Sequence, residues 1–313
     1  MNKEIQNLLQ QAFKKREPLR AYTNAIRVVN GYGDELDGLV LEQHGKHFVA
    51  QIFDLRWLEE KAVLIDFVKS LGGTYFVVKD RTQSASSRPE GIGFDVWIDG
   101  VSSTIVEEYG VKFQVELNDT LNTGLFLDMR ANRHQVAALC RGRKVLNLFA
   151  YTCAFGVHGR LQGASGIVNV DVSRKVLDRG RGNYELNGLV PEKNELIRAD
   201  AVEYLERAVK KDNRFDMIIL DPPSFARFDG RIFSVKTDLE RMIKMAAKVL
   251  EPGGVLFVAT NYSEMLFSQL QQMVKTALKG REIRKITALG QDVDFPGSGF
   301  MAESCLTAIL VEL

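Results

Sequence analysis

From residue 143 onward the chain repeats one rhythm, a short apolar strand-like run, a helical stretch, then another such run, and no other feature restricts its fold as much. The runs are KVLNLF (144–149), GIVNVD (166–171), ELIRAD (195–200), FDMIILD (215–221) and GVLFVAT (254–260). Strands joined by helical crossovers pair in parallel, and a parallel sheet needs helices on both faces, so its strands read as unbroken apolar segments. A helix near 263–279 and strands near 281–289 and 302–312 complete a seven-stranded α/β sheet of Rossmann-like type. Residues 20–118 follow a different grammar. Alternating apolar positions interrupted by Gly, Asp and Asn, as in RVVNGYGDELDGLVLEQHG (27–45), predict hairpins, with a helix over 57–71 and strands at TYFVVKD and GVKFQVEL. The expected organisation is a helix in 1–19, a smaller α+β domain over 20–118 and the Rossmann-like domain over 119–313.

Within the first segment Ile5, Leu8, Leu9, Ala12 and Phe13 share one helical face. Lys14, Lys15 and Arg16 behind them read as a solvated basic end, with an RNA phosphate contact as the alternative. The balance of 41 Lys and Arg against 40 Asp and Glu, a net charge of +1, excludes a polycation that binds by charge alone. A local basic face stays open. Three cysteines, Cys140, Cys153 and Cys305, show no CxxC spacing, so neither a disulfide framework nor a zinc ribbon is expected. The first twenty residues are too polar for a secretory signal, and no apolar run approaches the ~20 residues of a membrane span. The chain reads as cytosolic, without a membrane partner. His44 and His47 lie in a hairpin-like stretch and read as solvated, and His134 and His158 have no metal-ligand spacing around them. No metal is expected.

In parallel sheets ligands sit outside the carboxyl ends of the strands. Here the first strand runs into NLFAYTCAFGVHG (147–159), and the next three end at Asp171, Asp200 and Asp221. A carboxylate about 20 positions beyond the first strand–helix turn is spaced to grip a ribose diol, and Asp200 with Ala201 is then placed to accept from the amine of a base. A dinucleotide would need GxGxxG in that turn, whereas Ala150, Cys153 and Ala154 stand there and Gly156 and Gly159 come later. S-adenosylmethionine has a ribose and an adenine but no phosphate, so it fits, and a NAD-dependent oxidoreductase does not. The run DPPSF (221–225) ends the fourth strand. Two prolines there cannot continue a ladder and fix an extended turn whose outward carbonyls, with the Asp221 carboxylate and the Phe225 ring, suit a flat amine-bearing substrate.

These residues resemble a known family, the class I S-adenosylmethionine-dependent methyltransferases of the large-subunit ribosomal RNA group, related to methyltransferases I and K. The likeness runs through LNTGLFLDMRANR (121–133), VLNLFAYTCAFGVHG (145–159), VDVS (170–173), NYELNGL (183–189), RADAVEYL (198–205) and DPPSF. Residues 27–45 look like the family's central α+β domain, which would serve substrate recognition. Because the chain starts almost directly at that segment, the resemblance implies a member without the leading RNA-binding PUA domain. It further implies that Phe126, Asp128 and Arg130 cap the cofactor site, with Arg130 facing the methionine carboxylate. Asn147, Phe149, Ala150, Tyr151, Thr152 and Cys153 would wrap the methionine end, Asp171, Val172 and Ser173 the ribose, and Asp200 and Ala201 the adenine. Asp221, Pro222, Pro223 and Phe225 form the expected catalytic turn, and Ser224, Arg227 and Asn261 the expected substrate contacts. Read from the residues alone, Arg130 equally suits a salt bridge.

Cytosine C5 methylation needs a thiolate, which family members with that activity carry just after the fifth strand. ATNYSEM (259–265) has none there, so nitrogen methylation of an RNA base is expected. A methyltransferase acting on protein or a small molecule is the alternative, and a non-catalytic RNA-binding scaffold a further one. Monomer and homodimer are both open.

Overall fold

A computed structural model describes residues 2–82, 94–119, 122–228, 231–297 and 306–313, with the backbone alone at 2, 226–228, 231 and 232. Two compact units emerge. The first comprises Met1–Arg130 and Gln291–Ser304, the second Ala131–Gly290 and Cys305–Leu313.

In the first unit α1 (Asn2–Lys15) precedes β1 (Ala25–Asn30), β2 (Leu39–His44), β3 (His47–Ile52), α2 (Arg56–Glu59), α3 (Lys61–Ser70), β4 (Tyr75–Asp80) and β5 (Phe94–Ile98). The five strands form one sheet in sequence order, antiparallel except for β3 and β4, which pair in parallel because α2 and α3 supply the crossover. Leu9 and Ala12 of α1 and Val63, Leu64, Phe67 and Val68 of α3 close a core with Phe48, Ala50, Phe76 and Val78. The N-terminal helix is therefore part of this unit and not a separate segment. A hairpin, β6 (Ser103–Glu108) and β7 (Val111–Glu116), pairs on its own.

Burial corrects two readings of polar residues in this unit. Arg16 is neither solvated nor exposed to a nucleic acid: it is fully buried, and its terminal nitrogens grip both oxygens of Asp34. His44 is fully buried too, with Nε2 3.4 Å from Glu42. Segment 291–297 also departs from the expected boundaries, because its Asp294 accepts from Arg130 and from the Arg27 backbone N–H. The Pro296 carbonyl accepts from Asn30, and a Cβ on Gly33 would lie 2.1 Å from that oxygen, so only glycine permits this approach.

After Arg130, the first residue of α4 (Arg130–Ala138), the second unit runs through the rest of α4 and β8 (Lys144–Leu148), α5 (Ala154–Leu161), β9 (Gly166–Asp171), α6 (Arg174–Leu186), β10 (Leu196–Arg198), α7 (Ala201–Lys210), β11 (Phe215–Leu220), β12 (Phe225–Phe228), β13 (Arg231–Ser234), α8 (Val235–Val249), β14 (Leu250–Thr260), α9 (Phe267–Ala277), β15 (Lys285–Leu289) and β16 (Thr307–Glu312). Its sheet has the order β10-β9-β8-β11-β14-β16-β15. The first five are parallel, and β16 is antiparallel to both of its neighbours. All seven strands expected from the sequence are present. Leu146, Leu148, Ile218, Leu220, Leu256 and Val258 pack with Leu239, Met242 and Ile243 of α8 in the core. The hairpin β12–β13 was not foreseen, because its residues carry no clean alternation. Cys305 lies outside the described residues. Among the described residues, no helix is long and apolar enough to cross a membrane.

Candidate active site

Strand register brings the expected residues to one rim of the second unit. Leu148 lies level with Val170 and Leu220, Arg198 with Asp171, and Leu220 with Val258. Phe149 and Asp221 thus follow adjacent strand ends, Asp171 ends β9, and Asp200 and Asn261 lie just beyond β10 and β14. The strand order reverses between β8 and β11, the switch point where an open α/β sheet leaves a crevice.

The turn from β8 into α5 adopts the left-handed backbone that glycine-rich turns use, without glycine. Phe149, Tyr151 and Cys153 have φ of 57°, 49° and 61°. Each such residue costs about 1–3 kcal/mol and persists only where its surroundings over-determine it. Here they do. The Ala150 N–H donates to the Val170 carbonyl at 3.0 Å, the Tyr151 N–H to Asp171 Oδ2 at 2.9 Å, and Asn183 Nδ2 to the Thr152 carbonyl at 3.0 Å. Cys153 is wholly buried against Gly180, where a Cβ would sit 2.6 Å from its Sγ.

Asn147 supports the turn from below. Its side chain is buried and donates to Asn169 Oδ1 at 2.8 Å, and Asn169 Nδ2 in turn donates to the Tyr184 hydroxyl at 3.0 Å. A Cβ on Gly156 would lie 2.3 Å from that Asn169 oxygen, so Gly156 serves close helix packing. The sequence gives Asn169 no role and places Asn183 and Tyr184 only within the NYELNGL likeness. An asparagine inside the apolar run GIVNVD was the available signal, since a buried amide must find partners.

Asp171 accepts from the Ser173 N–H on Oδ1 and the Tyr151 N–H on Oδ2, both at 2.9 Å. Burial pushes its carboxyl above the ordinary value, and the backbone N–H groups of Ser173, Tyr151 and Val172 oppose that rise. A carboxylate has about four acceptor positions, so capacity remains for ribose hydroxyls. Val172 and Ser173 are half-buried, and the Ser173 hydroxyl caps α6. Asp200 is the N-cap of α7, with Oδ1 accepting from the N–H groups of Val202 and Glu203 at 2.9 and 3.0 Å, so Oδ2 is the oxygen available to an amine. Ala201 behind it is buried.

Beyond β11, Asp221 is half-buried, Pro222 buried and Pro223 exposed. Ser224 Oγ donates to Asn261 Oδ1 at 2.7 Å, joining the loops after β11 and β14, and the Phe225 ring is 54% exposed. The rings of Phe149 and Phe233 meet at 5.5 Å, tying the first turn to the β12–β13 hairpin. The side chain of Arg227 lies outside the described residues.

Phe126, Asp128 and Arg130 belong to the other unit. Phe126 is 40% exposed and Asp128 half-buried, on a short 3₁₀ turn. Arg130 corrects the expectation of a methionine carboxylate partner. It is fully buried, with one terminal nitrogen donating to Asp292 and Asp294 and the other to Asp294 and the Ala25 carbonyl, so all four terminal N–H groups are committed within the fold. Among the described residues no cluster of His, Cys, Asp and Glu could hold a metal.

A pinned turn, a carboxylate with spare acceptor capacity one strand away and a second beside it match a ligand with a ribose and an amine-bearing base. The first turn of α5 lacks a side-chain cap, so its N–H groups suit a carboxylate end. Known proteins agree. The profile of the S-adenosylmethionine-dependent methyltransferases matches residues 39–309. A ribosomal RNA large subunit methyltransferase I from Aeromonas salmonicida is 31% identical over 296 residues, covering 92% of this chain and 74% of that protein. A ribosomal RNA large subunit methyltransferase K from Neisseria meningitidis is 38% identical over 168 residues, 53% of this chain and 48% of that protein. The solved structure of SMU.776 complexed with SAH superposes with a TM-score of 0.89 at 24% identity, covering 100% of this chain and 82% of that one. A SAM-dependent methyltransferase from Agrobacterium tumefaciens gives 0.68 at 19% identity, over 93% and 90%. The strand-end acids, the pinned turn and the sheet order thus have their explanation: the chain belongs to the S-adenosylmethionine-dependent methyltransferase family.

Proposed function

We propose that this methyltransferase modifies a nitrogen of a base in large-subunit ribosomal RNA. Its similarity to ribosomal RNA large subunit methyltransferases I and K supports the RNA class of substrate. S-adenosylmethionine supplies a methyl group on a sulfonium, and transfer to a nucleophile is an in-line displacement. The protein's share is alignment and exclusion of water. Asp171 and Asp200 fix the nucleoside part of the cofactor, and the pinned 149–153 turn holds the other end. Asp221 and the Pro222 carbonyl offer acceptors to the base, and the exposed Phe225 ring offers a stacking face.

The state of the two described cysteines, with no cysteine in the stretch just after β14, carries the choice of nitrogen over cytosine C5. Ring activation at C6 requires a reachable thiolate. Cys140 is buried, and burial pushes its thiol up to about 12 despite the opposing Arg143. Cys153 is completely buried and pushed well above the ordinary thiol value by burial, with Asp171 and Glu195 adding to the rise. The residue that follows β14 is Asn261, bonded to Ser224. Ring and exocyclic nitrogens attack through a lone pair and need no covalent enzyme intermediate. Nucleoside mass spectrometry of ribosomal RNA from cells with and without the gene tests the reading. A nitrogen-methylated nucleoside is expected to vanish on deletion, and an unchanged profile overturns the assignment. A covalent adduct trapped on RNA containing 5-fluorocytosine would overturn the choice of atom.

A further inference from the structure

The bond between Ser224 and Asn261 fixes more than the position of two loops. An asparagine amide carries an acceptor on one arm and two donors on the other. With Oδ1 accepting from the Ser224 hydroxyl at 2.7 Å, the Nδ2 arm is turned away from Ser224, and Asn261 is exposed. Both residues stand on firm ground. The Ser224 carbonyl accepts from the Val235 N–H at the start of α8. Asn261 follows Thr260, which is fully buried, pairs with Thr307 in the sheet, and accepts on Oγ1 from the Tyr262 N–H at 3.2 Å. Asp221, one residue beyond the level of Val258, lies on the neighbouring strand end. The rim therefore presents a carboxylate acceptor from β11 and an oriented amide donor from β14.

We infer that Ser224 and Asn261 form a specificity pair: Ser224 locks the Asn261 amide so that its NH2 donates to an acceptor atom of the target base, beside the Asp221 acceptor. A base that turns a donor toward Asn261 meets NH2 with NH2, leaves both without a partner, and is rejected. Asn261 is the specificity residue and Ser224 its positioning residue. The inference rests on the RNA-base reading above.

The test uses the full-length enzyme with large-subunit ribosomal RNA extracted from cells lacking the gene, and measures methyl transfer kinetics and calorimetric affinity for S-adenosylmethionine. Asn261→Asp keeps the size and the bond from Ser224 but replaces the donor arm by an acceptor. It is expected to lower kcat/KM for RNA by roughly 10–100-fold, as loss of one donor to a base edge implies, with cofactor affinity unchanged. The loss should persist at raised salt, whereas simple repulsion between the new carboxylate and RNA would be screened. Ser224→Ala should lose a smaller factor, and Ser224→Thr, which keeps the hydroxyl, should return close to wild type. An Asn261→Asp enzyme as active as wild type, a loss that disappears with salt, or an equal loss in cofactor affinity overturns the inference. If the wild-type enzyme itself transfers no methyl group to this RNA, the substrate reading fails and the pair has no base edge to read. That outcome differs from failure of the pair alone, in which the wild type is active and the variants match it.

Discussion

Gly156 gives the sharpest test of how the second unit is built. Replaced by alanine, its Cβ would lie 2.3 Å from Asn169 Oδ1, 2.7 Å from Asn169 Nδ2 and 2.8 Å from the Tyr184 hydroxyl. Ordinary contact begins near 3.4 Å, so about 1 Å must be found somewhere. Either α5 retreats from the sheet, an overpacking strain of about 1–3 kcal/mol, or Asn169 swings aside. The second course strands Asn147 Nδ2 in the core, at a cost of about 1–3 kcal/mol, while the Tyr184 hydroxyl keeps Glu195. Both routes give a loss of about 1–3 kcal/mol, or roughly 2–12 °C in Tm for a unit of this size. Because the 149–153 turn feeds directly into α5, S-adenosylmethionine affinity should fall as well. Gly182→Ala on α6 is the control, since a Cβ there meets nothing within 4 Å. It should be neutral or stabilising by up to about 1 kcal/mol. Thermal and urea unfolding of both variants decides the matter: Gly156→Ala within 0.5 kcal/mol of wild type, a margin of about one tenth of typical stability, would refute the packing argument.

Four further outcomes are expected. Asp171→Asn should raise the dissociation constant for S-adenosylmethionine by roughly 10–100-fold in calorimetry, because a charged acceptor is lost. Since burial raises the folded-state value of Asp171, wild-type affinity should begin to fall on acidification at a higher pH than an ordinary carboxylate would give. In the first unit Arg16→Ala leaves the Asp34 carboxylate buried without its main partner and should cost about 3–5 kcal/mol in urea unfolding. Burial alone would raise the Glu42 carboxyl, but Arg27 at 2.8 Å and His44 hold it at about 2, against an ordinary 4.5. Its folded value is depressed, so the stability it contributes is complete above about 4.5 and is lost as the pH falls through about 2. Glu42→Gln should remove that part of the acid dependence.

Much of the second unit was legible from sequence because a doubly covered parallel sheet leaves a direct signature, apolar runs that stop at polar residues. Asp171 ends its strand as read, Asp221 and Asp200 follow theirs by one and two residues, and their spacing carries the cofactor. What escaped depends on contacts distant in sequence. Nothing local in NLFAYTC announces left-handed backbone at Phe149, Tyr151 and Cys153, because the compensation comes from Asp171, Asn183 and Gly180. Arg16, His44 and Arg130 looked solvent-facing or ligand-facing, since a basic residue is charged in any sequence, and only the fold reveals Asp34, Glu42 and Asp294 beside them. The pairing of Asp294 with Arg130 spans 164 positions, which is why segment 291–297 was assigned to the wrong unit. Asp200 was read as a base contact alone, although its position directly before α7 also marks an N-cap.

The destination of the methyl group is the most direct test of function. Purified enzyme, S-adenosylmethionine carrying a deuterated methyl group, and large-subunit ribosomal RNA from cells lacking the gene should yield one labelled nucleoside whose added methyl sits on a base nitrogen. Asp221→Ala should abolish that label. Label on cytosine C5, or bound cofactor with no label in any nucleoside, would contradict the proposed function.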